Sequence, residues 1–200
     1  MLLVYDVETS GLPDWTMPSN HPAQPHIIQI GAILADDNGK EIERINIFIK
    51  PDGWTLPPEI TKLTGITQEM LVEKGIPIKD AVETFIALWR KCTKTVAHND
   101  NFDRRLFRIE MARLYGRVPL LDEWKNAPAF CTMRSSTDIV KCPPTKKMID
   151  AGRTGYKSPK LIEAYEHFFK RKPEVSHDAM ADVESTLAIY FELMKLQQAA

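Results

Sequence analysis

Two hundred residues, 44% of them hydrophobic, suffice for one domain with a full core. The 26 basic and 27 acidic residues leave a formal net charge of -1. That balance excludes a global polycation that coats nucleic acid and confines any such contact to a local patch. Cys92, Cys131 and Cys142 stand far apart with no C-x-x-C, so they read as reduced thiols rather than a disulfide framework or a zinc site. No run nears the ~18 apolar residues of a membrane span, and too few residues precede Asp6 for a signal peptide. The chain reads as a soluble, cytoplasmic protein with no membrane partner.

In chain order, Leu2 to Val7 reads as a buried strand that carries two carboxylates, Asp6 and Glu8, where it should end. Side chains at i and i+2 of a strand share a face, so the two anions project side by side. At ~4 Å their repulsion is of order 4 kcal/mol at a partly buried site, which a divalent cation between them would offset. Hard oxygen donors of this kind suit Mg²⁺ or Mn²⁺. Pro13 to Pro25, with four prolines and Trp15, is a loop, and His21 and His26 read as surface histidines. His26 to Ala35 is strand-like, Asp36 to Gly39 a tight turn, and Glu41 to Ile49 an alternating strand with one solvated face. Short helical pieces follow at 57–63 and 67–74, the second opened by Thr67 as N-cap.

Residues 79–91 carry apolar positions at the spacing of one helical face. Thr95 to Ala97 is a short strand ending at His98, and Asp100 to Tyr115 is a helix. Pro119 to Pro128 reads as a connection, and Ala129 to Cys131 as an edge strand leading into a helix from about Thr132. Lys141 to Lys160 gathers Lys141, Lys146, Lys147, Arg153, Lys157 and Lys160 against Asp150 alone, which marks either a solvated loop or a phosphate-contacting flap. A helix over 160–169 and a long closing helix over 177–196 complete the chain. Strands first, then strands alternating with helices, indicate an α/β domain with a mixed sheet.

Three local patterns line up: Asp6-x-Glu8 at a strand end, Asp103 in the first turn of a helix after a strand, and His177 to Asp182 at the start of the last helix. With these motifs the chain resembles the DEDD superfamily of 3′→5′ exonucleases, in its histidine-bearing (DEDDh, DnaQ-like) branch. That family includes proofreading subunits of bacterial replicative polymerases and RNA-trimming nucleases. The branch rests on spacing: His177 lies five residues before Asp182, whereas the sister branch places a tyrosine four before, where this chain has Asp178.

The resemblance covers nearly the whole chain and implies a single exonuclease domain over 1–200 with a ribonuclease H-like fold. It implies a five-stranded mixed sheet, its first three strands antiparallel and the fourth beside the first. It further implies two divalent ions, Mg²⁺ or Mn²⁺, held by Asp6, Glu8, Asp103 and Asp182. Asp6 would bridge both ions, Glu8 and Asp182 would hold the one that binds the attacking water, and Asp103 would support the other. His177 would be the general base, for which an unperturbed pKa of about 6.5 is suited.

Thr9, Gly11, Leu12, Ile66 and Asn99 are expected to contact the terminal nucleotide, and Lys157 and Lys160 its phosphates. The function implied is release of nucleoside 5′-monophosphates from the 3′ end of single-stranded nucleic acid, DNA favoured over RNA. The alternatives are an RNA-trimming or oligoribonuclease-like enzyme and a catalytically silent binding module or polymerase accessory. The chain stops soon after its last helix, which favours a free-standing nuclease, with a polymerase or a second copy as alternative partners.

Overall fold

The computed structural model describes residues 1–173 and 177–198. Its centre is β1 (Leu2–Thr9), which pairs antiparallel with β2 (Ile27–Ala35) and parallel with β4 (Lys94–Ala97). β3 (Glu41–Phe48) extends the sheet beyond β2, and β5 (Ala129–Cys131) extends it beyond β4, giving the order β3-β2-β1-β4-β5. The five-stranded mixed sheet, with three antiparallel strands first and the fourth beside the first, is the architecture the family resemblance implies.

Alternation along β1 divides the molecule into two layers. Leu3, Tyr5 and Val7 pack against α3 (Ile78–Trp89), α4 (Asp100–Tyr115) and α5 (Pro119–Asn126) through Phe85, Phe107 and Trp124. Leu2 and Val4 point the other way, against Met180, Val183 and Tyr190 of α9 (Ala179–Gln198). Asp6 and Glu8 continue that second row by the same alternation, so the α9 side of β1 is apolar at its start and acidic at its end. Fully burying a Leu or Val side chain contributes ~1.5–3 kcal/mol, so a one-residue slip that exchanged the two rows would be strongly disfavoured. The register of the carboxylates is therefore set by the packing of their neighbours.

Two short helices, α1 (Pro58–Thr64) and α2 (Gln68–Lys74), follow β3, and Thr67 caps α2 by accepting the Met70 amide at 3.2 Å. α6 (Thr132–Val140), α7 (Lys146–Asp150) and α8 (Leu161–Phe169) lie between β5 and α9. Two elements correct the sequence reading. Residues 119–126, expected as a connection, form α5, because Pro119 sits at its first turn and Leu121 and Trp124 share a buried face. The short α7 interrupts the basic stretch, with Thr145 as its N-cap and Lys146 paired to Asp150 at 3.0 Å.

The long loop over 13–25 contains no strand or helix yet is held in place. Buried Gln24 accepts the Asp14 amide and donates to the Asp14 carbonyl, at 3.0 and 2.8 Å. Arg113 of α4 donates to the Pro25 carbonyl at 2.9 Å and to buried Glu110 at 3.1 Å, and Glu110 accepts the Ile27 amide at 3.0 Å. His26, read from sequence as a surface residue, stacks on Trp54 with centroids 4.8 Å apart and packs beside Glu110 and Arg113. No helix among the described residues is long and apolar enough to cross a membrane.

Candidate active site

The site forms where the acidic end of β1 meets the starts of α4 and α9. Asp103, in the first turn of α4, is buried and accepts the backbone amide of Val7 at 3.2 Å. That bond holds its carboxylate against the segment between Asp6 and Glu8. The entry to α4 is set by Asn99, whose φ of 74° and ψ of 46° lie in the left-handed region, where asparagine is one of the few tolerated residues. Beneath it, Asp100 accepts the Tyr5 hydroxyl at 3.1 Å and pairs with Arg104, which also donates to Thr95 at 2.8 Å. These contacts fix α4 to β1 and β4, and so fix where Asp103 lies.

The start of α9 is fixed from β2. Gln29 accepts the Ala179 amide at 3.1 Å and donates to the Asp178 carboxylate at 2.9 Å, while also donating to Asn46 at 2.9 Å. Asp178 accepts the amides of Met180 and Ala181 at 3.1 and 3.0 Å, the geometry of an N-cap. Gly31, paired with Asp6 across the β1–β2 ladder, lies under this turn. A β-carbon there would stand 2.6 Å from the Ala179 carbonyl carbon and oxygen. With no β-carbon in the way, α9 comes down on β2 at the level of Asp6, and Asp182 one turn in faces the carboxylates of β1.

Glu8, His177 and Asp182 each place a ligand atom within 4.8 Å of the other two. Asp6 and Asp103 stand outside that triplet but within its field. Burial, then Asp103, Asp182, Glu8 and Asp178, hold Asp6 well above the usual carboxylate range. Burial likewise raises Asp103, opposed by the hydrogen bond from Val7. Glu8 is pushed up to about 8 by burial and then by Asp182 and Asp178. Asp182 is pushed up to about 6, chiefly by burial, against a hydrogen bond from the His177 backbone.

No Lys or Arg forms an ion pair with Asp6, Glu8, Asp103 or Asp182 among the described residues. A fold that crowds four carboxylates without a basic partner is electrostatically incomplete by itself. The donor set is hard oxygen plus one imidazole, and it fits divalent cations of the Mg²⁺ or Mn²⁺ class. His177 is exposed and has φ of 60°, a second left-handed non-glycine residue at the site after Asn99. Strained backbone of this kind costs of order 1 kcal/mol or more and persists where surroundings hold it.

The remaining expected contacts divide. Thr9 is buried and donates to the Gly11 carbonyl at 2.8 Å, and Ser10 exchanges two hydrogen bonds with His26, each of 2.8 Å. This knot leaves Leu12 at the tip, 84% exposed and available to an apolar surface. Ile66, expected against a base, is instead 3% exposed and packed with Ile28, Leu56 and Leu71, so its side chain has no free face. Lys157, expected on phosphate, is committed to Glu163. Lys160 is exposed at the start of α8, where its backbone amide donates to Glu163 at 2.7 Å. His98 bridges Thr132 and the Pro159 carbonyl at 2.9 and 3.1 Å, and burial lowers it to about 4.

Gln29, Gly31 and the capping role of Asp178 are not among the features expected from sequence. The available signal is a single polar side chain and a single glycine inside an otherwise apolar strand, IIQIGAILA. Such interruptions mark a close approach of backbone or a buried hydrogen bond.

A family model described as RNase_T, Exonuclease, matches residues 3–190. The PolC-type DNA polymerase III of Thermotoga petrophila is 32% identical over 136 residues, covering 66% of this chain and 9% of that one. DNA polymerase III subunit epsilon of Treponema pallidum is 34% identical over 108 residues, covering 54% of this chain and 45% of that one. Among solved structures, E. coli exonuclease I in complex with a dA16 oligonucleotide has a similar fold, with TM-score 0.67 and 24% identity over 98% of this chain and 40% of that one. The chain thus spans under half the length of each of these three proteins.

Proposed function

The chain belongs to the RNase_T exonuclease family as a DnaQ-like nuclease, and from that premise we propose that it is a metal-dependent 3′→5′ exonuclease of the DEDDh type. It acts on single-stranded ends, DNA in preference to RNA, and releases nucleoside 5′-monophosphates. The observation that carries this reading is the convergence of Glu8, His177 and Asp182 within 4.8 Å beside Asp6 and Asp103. Five residues from three distant parts of the chain meet at the end of one strand.

Asp6, Glu8, Asp103 and Asp182 would hold two divalent cations, Mg²⁺ or Mn²⁺, which supply charge neutralisation for the scissile phosphodiester and acidify water for attack. The protein's own groups do the rest. The carboxylates, once ionised, repel the scissile phosphodiester until they are neutralised. Seating of the 3′ end, though not contact with the strand beyond it, is therefore coupled to filling of the site. An imidazole nitrogen of His177 takes the proton from the attacking water; its exposure lets it pass that proton on to solvent. Water attacks phosphorus in line, the bond to the 3′ oxygen of the preceding nucleotide breaks, and that oxygen takes up a proton from solvent as it leaves. The Thr9–Gly11 knot positions the end of the chain, and Leu12 offers an apolar face to the terminal base.

The test uses 5′-labelled DNA and RNA of one sequence, incubated with Mg²⁺ or Mn²⁺ and either wild type or Asp6→Ala. A ladder that shortens from the 3′ end with wild type alone supports the reading, and the faster ladder names the sugar. No shortening of either strand in either metal would favour the silent binding module. In the cell such an enzyme would work in the cytoplasm, free-standing or beside a polymerase; the similarity to DNA polymerase III chains supports the second arrangement.

A further inference from the structure

Helix α4 and the turn after it carry five arginines, and they are not equivalent. Arg104 pairs with Asp100 and Arg113 with Glu110. Arg105 donates to the Ser19 hydroxyl at 2.7 Å and the Met17 carbonyl at 2.6 Å, which ties the long loop to the helix. Arg108 and Arg117 have no ion-pair partner among the described residues. The Nε atoms of Arg105 and Arg108 are buried without a hydrogen-bond partner.

These residues face a common space. A cavity of about 240 Å³ lies between Ser19 and Asn20 of the loop and Arg105, Arg108 and Arg117. A second, of about 580 Å³, is also lined by Arg108 and Arg117, with Asp122 as its carboxylate. Neither arginine comes within ion-pair distance of Asp122 among the described residues. Arginines three apart on one helix face repel one another unless an anion lies between them. In keeping with this, burial and then the charge of Arg108 lower Arg105 below the ordinary arginine range.

At the loop's outer side Trp15 is 61% exposed, with the Arg105 guanidinium 5.9 Å from its ring centroid. One face of the indole is backed by a cation and much of the ring is open. Cationic side chains that line two cavities, with an exposed aromatic ring against one of those side chains, suit a strand with repeating phosphates and bases better than one isolated anion. Arg105 and Arg108 follow Asp103 on the same helix, within about 8 Å along its axis at ~1.5 Å per residue. At ~100° per residue they project from its outer side, so a strand reaches them by passing round the start of α4.

We propose that the groove between the loop over 13–25 and the outer face of α4 binds the nucleic-acid strand away from its scissile end, with Arg108 and Arg117 on phosphates and Trp15 stacked on a base. This rests on the nuclease reading for its biological sense. It places a cationic surface apart from the lysine-rich stretch over 141–160, where Lys157 and Lys146 are already paired.

The experiment measures binding of a 5′-fluorescein oligothymidylate of about 10 nucleotides, within the usual range of single-strand sites, by anisotropy across a salt series. EDTA is present throughout, so hydrolysis does not compete. Arg108→Ala/Arg117→Ala should weaken binding at least tenfold and reduce the slope of log K against log salt by ~1.4, about 0.7 for each phosphate that is no longer neutralised. Trp15→Ala should weaken binding about fivefold or more with the slope unchanged, because stacking releases no ions. Lys74→Ala/Lys79→Ala, which removes the same charge from an exposed face elsewhere, should leave both quantities unchanged.

Arg117→Ala alone, at an exposed position, serves if the double variant does not fold, and should reduce the slope by about 0.7, half of the change expected for the pair. Wild type that does not bind in low salt, an arginine variant that matches wild type, or an equal loss in the lysine variant would each overturn the groove. The nuclease reading is judged separately, by the metal-dependent ladder. A wild type that binds through these arginines but shortens no strand would sink that reading and leave the groove standing.

Discussion

Gly31 of β2 lies so close to Ala179 that a β-carbon on it would stand 2.6 Å from the Ala179 carbonyl carbon and oxygen. The contact joins the strand partner of Asp6 to the helix that carries Asp182. It makes the spacing between two sets of carboxylates depend on a residue with no functional group. Gly31→Ala should therefore lower stability by roughly 1–3 kcal/mol, as overpacking does. It should also reduce turnover by up to about 10²-fold, the cost of a ~1 Å misplacement. Urea unfolding and the ladder assay check the two effects; a variant with unchanged turnover would show that α9 can settle elsewhere.

The metal-free protein should lose stability as pH rises. Glu8 titrates at about 8 against an ordinary 4.5, so the folded state holds a proton that the unfolded chain has released. A raised carboxyl contributes stability that is present at low pH and lost as pH rises through the folded value. His98, lowered from 6.5 to about 4, acts in the opposite direction below 6.5, because the unfolded imidazole takes up the proton first. The interval from 6.5 to 8 is therefore governed by the carboxylates, and Tm in EDTA should fall across it.

Adding Mg²⁺ or Mn²⁺ at a hundred times its Kd should restore ~2.7 kcal/mol. The gain should grow with pH as protons cease to compete for the ligands. A Tm that saturating metal does not move would count against the site.

Asp103→Asn keeps an oxygen to accept the Val7 amide and removes only the charge. It should raise stability in EDTA by of order 0.5–2 kcal/mol, as relief of a strained functional site does. It should cut turnover by at least about 10²-fold, through loss of electrostatic stabilisation. Loss of stability in EDTA would mean that the carboxylate is satisfied in the metal-free fold, contrary to the raised titration.

His177→Ala should remove most turnover, of order 10²–10⁴-fold for a general base, and leave the metal-induced Tm shift nearly intact. If the shift disappeared along with turnover, His177 would be a ligand rather than a base. Its ring lies within 4.8 Å of both Glu8 and Asp182, so the geometry admits either outcome.

The arrangement of the mixed sheet and the five candidate site residues follow from the likeness of three motifs to the DEDDh family. What the linear chain itself makes legible is local: alternation sets which face a strand residue takes, and helix starts are marked by their caps. Asp6 and Glu8 share a face because of their spacing alone, and Asp103 and Asp182 lie in first turns that adjacent residues define. The α5 helix escapes such a reading because its signal, a proline followed by apolar residues, opens turns as well as helices.

Only the tertiary structure decided how the separate pieces meet. No spacing along the chain tells that Gln29 would hold both the Ala179 amide and the Asp178 carboxylate, 150 and 149 residues away. Nor does composition tell which of many cations remains unneutralised. Lys157 and Arg104 found carboxylates, whereas Arg108 and Arg117 found none among the described residues. The same holds for Leu12 and Ile66, two apolar residues of which one is 84% exposed and the other 3%. Periodicity is a property of neighbours along the chain, but burial, charge pairing and close backbone approach are properties of neighbours in space.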